Sequence, residues 1–152
     1  MDTGEQSKTR PRSYTYKTST AWTGARSGVL ESNGKPSVKV SSPPEFKGES
    51  GVWTPEDLFV ASVETCHMAT FMSFAARRSI PIKSYKSHSN GVLEFVDGDY
   101  RFTRIVIFPT ITVSSGASET EVHGILREAQ KHCLVTNSIA SIVEVNPTIV
   151  ME

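Results

Sequence analysis

Hydrophobic and polar positions follow a short period in the first third of the chain and a longer one after it. Tyr14, Tyr16 and Trp22 sit at even positions among Thr, Ser and Lys, which predicts a half-buried strand. Gly24-Ala25-Arg26-Ser27-Gly28 offers a turn and Val29-Leu30-Glu31-Ser32 a second strand. Asn33-Gly34 is a strong two-residue hairpin signal ahead of the alternating Val38 and Val40. The reading is a three-stranded antiparallel meander. Residues 1–13 lack periodicity and read as a flexible tail, leaving 14–152 as a single domain. Residues 41–53, with Pro43-Pro44, read as a loop.

At Thr54 the period lengthens. Thr54-Pro55-Glu56-Asp57 combines a capping residue, a proline suited to the first helical position and an acidic residue at the capping-box position. Pro81 forbids continuation, so the helix runs to about Arg78, a length of about 36 Å. Its apolar residues cover most of the circumference, the mark of a buried helix. In a chain of 152 residues a second copy is the simplest cover for its second face. Beyond Pro81, Tyr85–Phe95, the Asp97-Gly98 turn and Tyr100–Val113 predict a long hairpin, with Pro109 implying a bulge or an edge position. Ser118-Glu119-Thr120-Glu121 is a second capping box. It opens a helix whose stripe is Val122, Ile125, Leu126, Ala129 and Cys133, and residues 142–150 close the chain as a strand interrupted at Pro147. This order is α+β with mostly antiparallel pairing.

Composition sharpens the picture. Fifteen Val, nine Ile and fifteen Thr against five Leu favour sheet. Sixteen basic and sixteen acidic residues give no net charge, which argues against nucleic acid or an anionic membrane as the main partner. No stretch reads as a membrane span and the first residues do not resemble a signal peptide, so a cytoplasmic location is expected.

Cys66 and Cys133 lie 67 residues apart, each on the apolar stripe of a helix. They read either as two buried thiols packing as small hydrophobes or as an attacking and a resolving thiol; pattern alone favours neither. The company of Cys66 separates the two readings. The run Thr54-Pro55-Glu56-Asp57-Leu58-Phe59-Val60-Ala61 … Cys66-His67-Met68-Ala69-Thr70-Phe71 resembles the signature of the OsmC/Ohr family (osmotically inducible protein C and organic hydroperoxide resistance protein). In that family a Pro-Glu dipeptide opens the central helix and the reactive cysteine follows the Glu by ten residues. Gly24-Ala25-Arg26-Ser27-Gly28 resembles the turn carrying the family's active-site arginine, and Ala129-Gln130-Lys131-His132-Cys133 the segment carrying its second cysteine.

The resemblance implies an OsmC-like fold: antiparallel sheets, a long buried central helix, a second helix and an intertwined homodimer. It also implies a cysteine-based peroxidase that reduces organic hydroperoxides in oxidative stress defence. Cys66 would attack, Cys133 would resolve, and Arg26, held by Glu56, would stabilise the thiolate. A thiol with a pKa of about 8.5 is only about 3% ionised at neutral pH, so such activation matters. No metal or other cofactor is implied. An external dithiol, lipoyl or thioredoxin-like, would reduce the disulfide. Two departures align the chain with the less characterised OsmC-like members: Leu134 stands where the peroxidase branches usually have proline, and His67 where they often have an aromatic residue.

Glu56 and Cys66 are separated by about 15 Å on a straight helix. Either the helix breaks or Glu56 serves a second subunit's Cys66. Other readings stay in view. His67 and His132 read as residues behind or beside the thiols, His88 and His123 as surface residues, and Arg77-Arg78 as a helix C-terminal charge. Arg26 and Glu56 also suit a plain hairpin charge and a first-turn carboxylate. A zinc site lacks the short paired spacing of structural sites. The competing functions are a non-catalytic binder of a small apolar ligand on the same fold, and a cysteine acyl transferase or hydrolase.

Overall fold

The computed structural model describes residues 12–152, and the predicted tail up to residue 11 lies outside them. The chain divides into two compact units, one ending at Thr54 and one from Pro55 to Glu152.

The first unit is the predicted meander, β1 (Ser19–Gly24), β2 (Ser27–Glu31) and β3 (Val38–Ser41), paired antiparallel in that order. Two details depart from expectation. Tyr14 and Tyr16 fall before β1, and Trp22 is exposed, its indole N–H donating to the Ala25 carbonyl at 2.9 Å. Alternation among Thr and Ser marked a strand without marking a buried face. Asn33-Gly34 sits within a loop longer than two residues, because Leu30 pairs with Val38. The turn closes through Lys35 N–H to the Ser32 carbonyl at 3.0 Å, with a positive φ at Gly34 and not at Asn33. A longer loop releases the pair from the twist that a two-residue hairpin imposes.

The second unit carries α1 (Pro55–Arg77), β4 (Ile82–Val96), β5 (Asp99–Val113), α2 (Glu119–His132), β6 (Ile142–Val145) and β7 (Thr148–Met151). β4 and β5 form the predicted hairpin, with positive φ at both Asp97 and Gly98, as a two-residue turn of this hand requires. On the other side of β5, β6 pairs parallel with Arg104–Ile107 and β7 parallel with Thr110–Val113.

Pro109 corrects the reading of a bulge or edge. It is fully buried in the central strand and in unbroken register with Ser87. What accommodates it is the gap between β6 and β7, where Asn146 and Pro147 lie and no ladder bond is demanded of it.

Ser118 caps α2 as predicted: its hydroxyl accepts from the Glu121 N–H at 3.1 Å and the Glu121 carboxylate accepts from the Ser118 N–H at 3.0 Å. The stripe Val122, Ile125, Leu126 and Ala129 is buried against Phe71 and Ala75 of α1 and Ile111 and Val113 of β5. A second cluster joins Val63 of α1 to Ile105 and Ile107.

α1 is one unbroken helix, and its fully buried residues form a single row, Val63, His67, Phe71 and Ala75. The neighbouring Met68 and Met72 remain 40% and 39% exposed. By length and composition α1 does suffice to cross a membrane, a correction to the reading that no segment approaches that limit. Opposite its N-terminal third, a Cβ on Gly91 of β4 would collide with Val60 Cγ2 and fall 3.0 Å from the Phe102 ring.

Candidate active site

The buried stripe of α2 ends on Cys133, where the chain leaves the α-helix (φ −69°, ψ 113°) and enters a short 3-10 turn at Thr136–Ser138. The Cys133 carbonyl accepts from the Asn137 N–H at 3.0 Å, which fixes that turn. Cys66 projects from the middle of α1 toward the same turn. The two thiols, both free, are close enough for each to shift the other's ionisation.

Their electrostatics differ. Burial pushes the Cys66 thiol up, but the Val135 N–H, the Cys133 thiol, the Thr70 hydroxyl and the Leu134 N–H together outweigh it and hold the thiol below its ordinary value. The Thr70 hydroxyl also donates to the Cys66 carbonyl at 2.8 Å, and its one proton serves one acceptor at a time. Cys133 moves the other way. Burial raises it, the Thr136 hydroxyl and N–H offset part of that, and the neighbouring Cys66 raises it again. In this pair the negative charge belongs on Cys66 and the proton on Cys133.

Around Cys66 an open cavity of about 690 Å³ runs along one face of α1 through Ala69, Thr70, Ser73, Phe74 and Arg77, closed on the other side by His132 and Leu134. The Arg77 guanidinium stands 5.3 Å over the Phe74 ring, and the His132 ring is 5.6 Å from the same ring. The His132 Nε2 is 3.6 Å from the Glu128 carboxylate.

One residue beyond Cys66, His67 turns to the sheet and is 1% exposed. Its Nδ1 meets the Tyr85 hydroxyl at 3.3 Å, while its Nε2 is buried without a partner. Burial holds the imidazole below its ordinary pKa. Tyr85 is pushed up to about 12 by burial and by the charge of Glu64, which itself accepts from the Ser87 hydroxyl at 2.6 Å.

Of the four residues the sequence nominated, the structure brings Cys66 and Cys133 together. Glu56 lies ten residues away in the first turn of the continuous α1, about 15 Å along the axis, so it does not reach the Cys66 of its own chain. One of its carboxylate oxygens is buried without a partner. Arg26 sits exposed in the turn between β1 and β2 of the first unit, its carbonyl accepting from the Ser42 N–H at 3.2 Å.

Sequence reasoning set His132 beside the thiols but missed Thr70, the place of Arg77 in the cavity wall and the amides. Thr70, Phe74 and Arg77 follow Cys66 at helical spacing on one face, a legible signal. The Leu134 and Val135 amides leave no signal, because any residue but proline supplies an N–H. Among the described residues no group of three or more His, Cys, Asp or Glu gathers that could hold a metal ion.

Comparison with known proteins points one way. The sequence model of the family described as OsmC-like protein matches residues 48–148, about two-thirds of the chain. The uncharacterized protein YmaD of Bacillus subtilis is 23% identical over 128 residues, covering 81% of this chain and 85% of its own. An OsmC-like protein of unknown function from Vibrio cholerae superposes with a TM-score of 0.81 at 22% identity, over 89% of this chain and 99% of that one. An organic hydroperoxide resistance protein OsmC from Legionella pneumophila gives a TM-score of 0.73 at 22% identity, over 92% and 99%. One from Elizabethkingia anophelis gives 0.74 at 19%, over 94% and 100%. At these identities the structural likeness establishes the fold.

Proposed function

This chain belongs to the OsmC-like protein family, and on that premise we propose that it is a thiol peroxidase that reduces organic hydroperoxides to alcohols through Cys66, with Cys133 resolving. The observation that carries the reading is the paired thiols, with the charge held on Cys66 by the Val135 and Leu134 amides. The Cys66 thiolate attacks the terminal peroxide oxygen and the O–O bond breaks. Cys66 is oxidised to the sulfenic acid, and the alkoxide leaves and takes a proton as the alcohol. The Cys133 sulfur then attacks the sulfenic sulfur, an S–S bond forms and water departs. An external dithiol, of lipoyl or thioredoxin type, supplies the two electrons and two protons that restore both thiols.

The proposal includes a homodimer. A continuous α1 separates Glu56 from its own Cys66, Glu56 carries a buried unpaired oxygen, and Met68 and Met72 are exposed beside the buried row. In the proposed dimer two α1 helices pack together, and Glu56 with Arg26 serves the thiolate of the other subunit. Mixing Cys66→Ser chains with Glu56→Gln chains tests this: exchange in trans restores activity in mixed dimers, whereas action in cis leaves the mixture at the level of its parents.

For the reaction itself, stoichiometric cumene hydroperoxide should consume two thiols together and yield an intramolecular Cys66–Cys133 bridge by mass. A binding protein would show neither change, and its melting temperature would rise with an apolar ligand instead. An acyl enzyme would gain the mass of the acyl group.

A further inference from the structure

Gly124 stands inside α2, where neither backbone nor packing asks for a glycine. It is not among the residues of positive φ. A Cβ on it would clash with nothing: its nearest neighbours would be Arg78 Nη1 at 3.7 Å and Arg127 Nη2 at 3.9 Å, ordinary contact distances. A glycine in a helix interior weakens that helix relative to alanine, so the position carries a cost with no local return. What the missing side chain leaves is a notch. Its floor is bare helix backbone, and two guanidiniums converge over it, one from α2 and one from the residue that follows α1.

The two arginines are held there from different sides. At the end of α1 the Arg78 N–H donates to the Phe74 carbonyl at 3.2 Å, the Ile80 N–H to the Ala75 carbonyl at 3.0 Å, and Ser79 takes a φ of 53°. That cap fixes the backbone from which Arg78 reaches α2. Arg127 belongs to a ridge of α2 made by His123, Arg127 and Lys131, spaced by four residues, where like charges oppose each other across each turn. Among the described residues none of Arg78, His123, Arg127 and Lys131 has a carboxylate within ion-pairing distance. Glu128 is turned to His132 at 3.6 Å, and Glu121 is engaged by the Ser118 cap. The whole chain has as many acidic as basic residues, so this gathering is not a by-product of excess positive charge.

We propose that the notch over Gly124 binds a phosphate dianion, free or as the head of a small soluble phosphate monoester. Two fixed cations match a dianion, whereas a carboxylate or a phosphodiester brings only one charge. The planar fork of each guanidinium suits paired phosphate oxygens. The bare backbone admits those oxygens where a methyl group would otherwise stand. The site is separate from the thiol chemistry and does not rest on it.

Calorimetric titration of the full chain tests this, at about pH 7.5, where phosphate is mostly dianionic, and at constant ionic strength. The titrants are inorganic phosphate, glycerol 3-phosphate, dimethyl phosphate and acetate. One equivalent of either dianion should bind about tenfold more tightly than the two monoanions. Tighter binding of glycerol 3-phosphate than of inorganic phosphate assigns the site to a phosphate monoester; the reverse order assigns it to the free ion. Arg127→Gln and Arg78→Gln should each lower the affinity about tenfold, the loss of one charge-assisted contact, and Arg127→Lys should lower it less. Gly124→Ala should raise the melting temperature without phosphate and yet weaken binding, a combination that a merely structural glycine would not give. Absence of saturable binding by both dianions, equal affinity for dimethyl phosphate, or affinity that survives either arginine-to-glutamine change overturns the proposal. Unchanged affinity in Gly124→Ala overturns it as well.

Discussion

Cys66 and His67 are consecutive residues of one helix, both partly or wholly withdrawn from water, and both titrate below their ordinary values. The consequences are opposite. Lowering the cysteine favours its charged form; lowering the histidine favours its neutral form. The difference lies in what each meets. Cys66 meets two backbone N–H groups, a thiol and a hydroxyl, enough donors to outweigh burial. His67 meets Val63 and Phe71 in its own row and a single hydroxyl, so desolvation decides. A turn of roughly 100° about the helix axis separates a thiol held toward its charged form from a neutral core residue. Position along the chain therefore says less about reactivity than the number of donors aimed at the atom.

The largest effect expected is on the cysteine side of this contrast. Cys66→Ser should abolish consumption of cumene hydroperoxide, measured by loss of peroxide, whereas His67→Leu should retain it. Loss of activity in a folded His67→Leu protein would break the contrast. Cys133→Ser comes next. The first turnover should survive, recycling should stop, and Cys66 should gain the mass of two oxygens as the sulfinic acid in excess peroxide.

The third prediction concerns pH. The folded pKa of His67 is depressed, so below the unfolded value of about 6.5 the unfolded chain binds the extra proton and stability falls with falling pH. Urea unfolding of the wild type should lose up to about 1.4 kcal/mol per pH unit from this one group. His67→Leu should lack that contribution, and equal slopes in the two proteins would refute it. The smallest effect is expected from Thr70→Val. It removes one of four donors, so the pH midpoint of Cys66 alkylation should rise by less than one unit, about 1.4 kcal/mol. A fall would overturn the role assigned to the hydroxyl.

Legibility in the sequence followed the locality of the signal. Asp97-Gly98 and Ser118-x-x-Glu121 specify their geometry within four residues, and both formed as read. Pro109 could not be placed from its neighbours, because the gap that tolerates it lies opposite, between β6 and β7 near Pro147. The Tyr14–Trp22 alternation failed for a related reason. A period of two announces a strand, but not whether anything covers its apolar face. The site divides the same way. Two cysteines on helix stripes were visible as candidates, and their meeting depends on α2 ending at Cys133. The amides of Leu134 and Val135, which tip the charge onto Cys66, belong to no side chain at all. Arg77 was legible as a helix-terminal charge, while its place over Phe74 required the cavity wall to be seen.

Gly91 bears on how firmly that arrangement is tuned. The bare backbone there is what lets Val60 approach so closely, and a bulge between Val92 and Leu93 follows at once. Even a methyl group would act as a shim under the helix six residues before Cys66. The alignment of two sulfurs is thus gauged in part by a hydrogen atom on a distant strand.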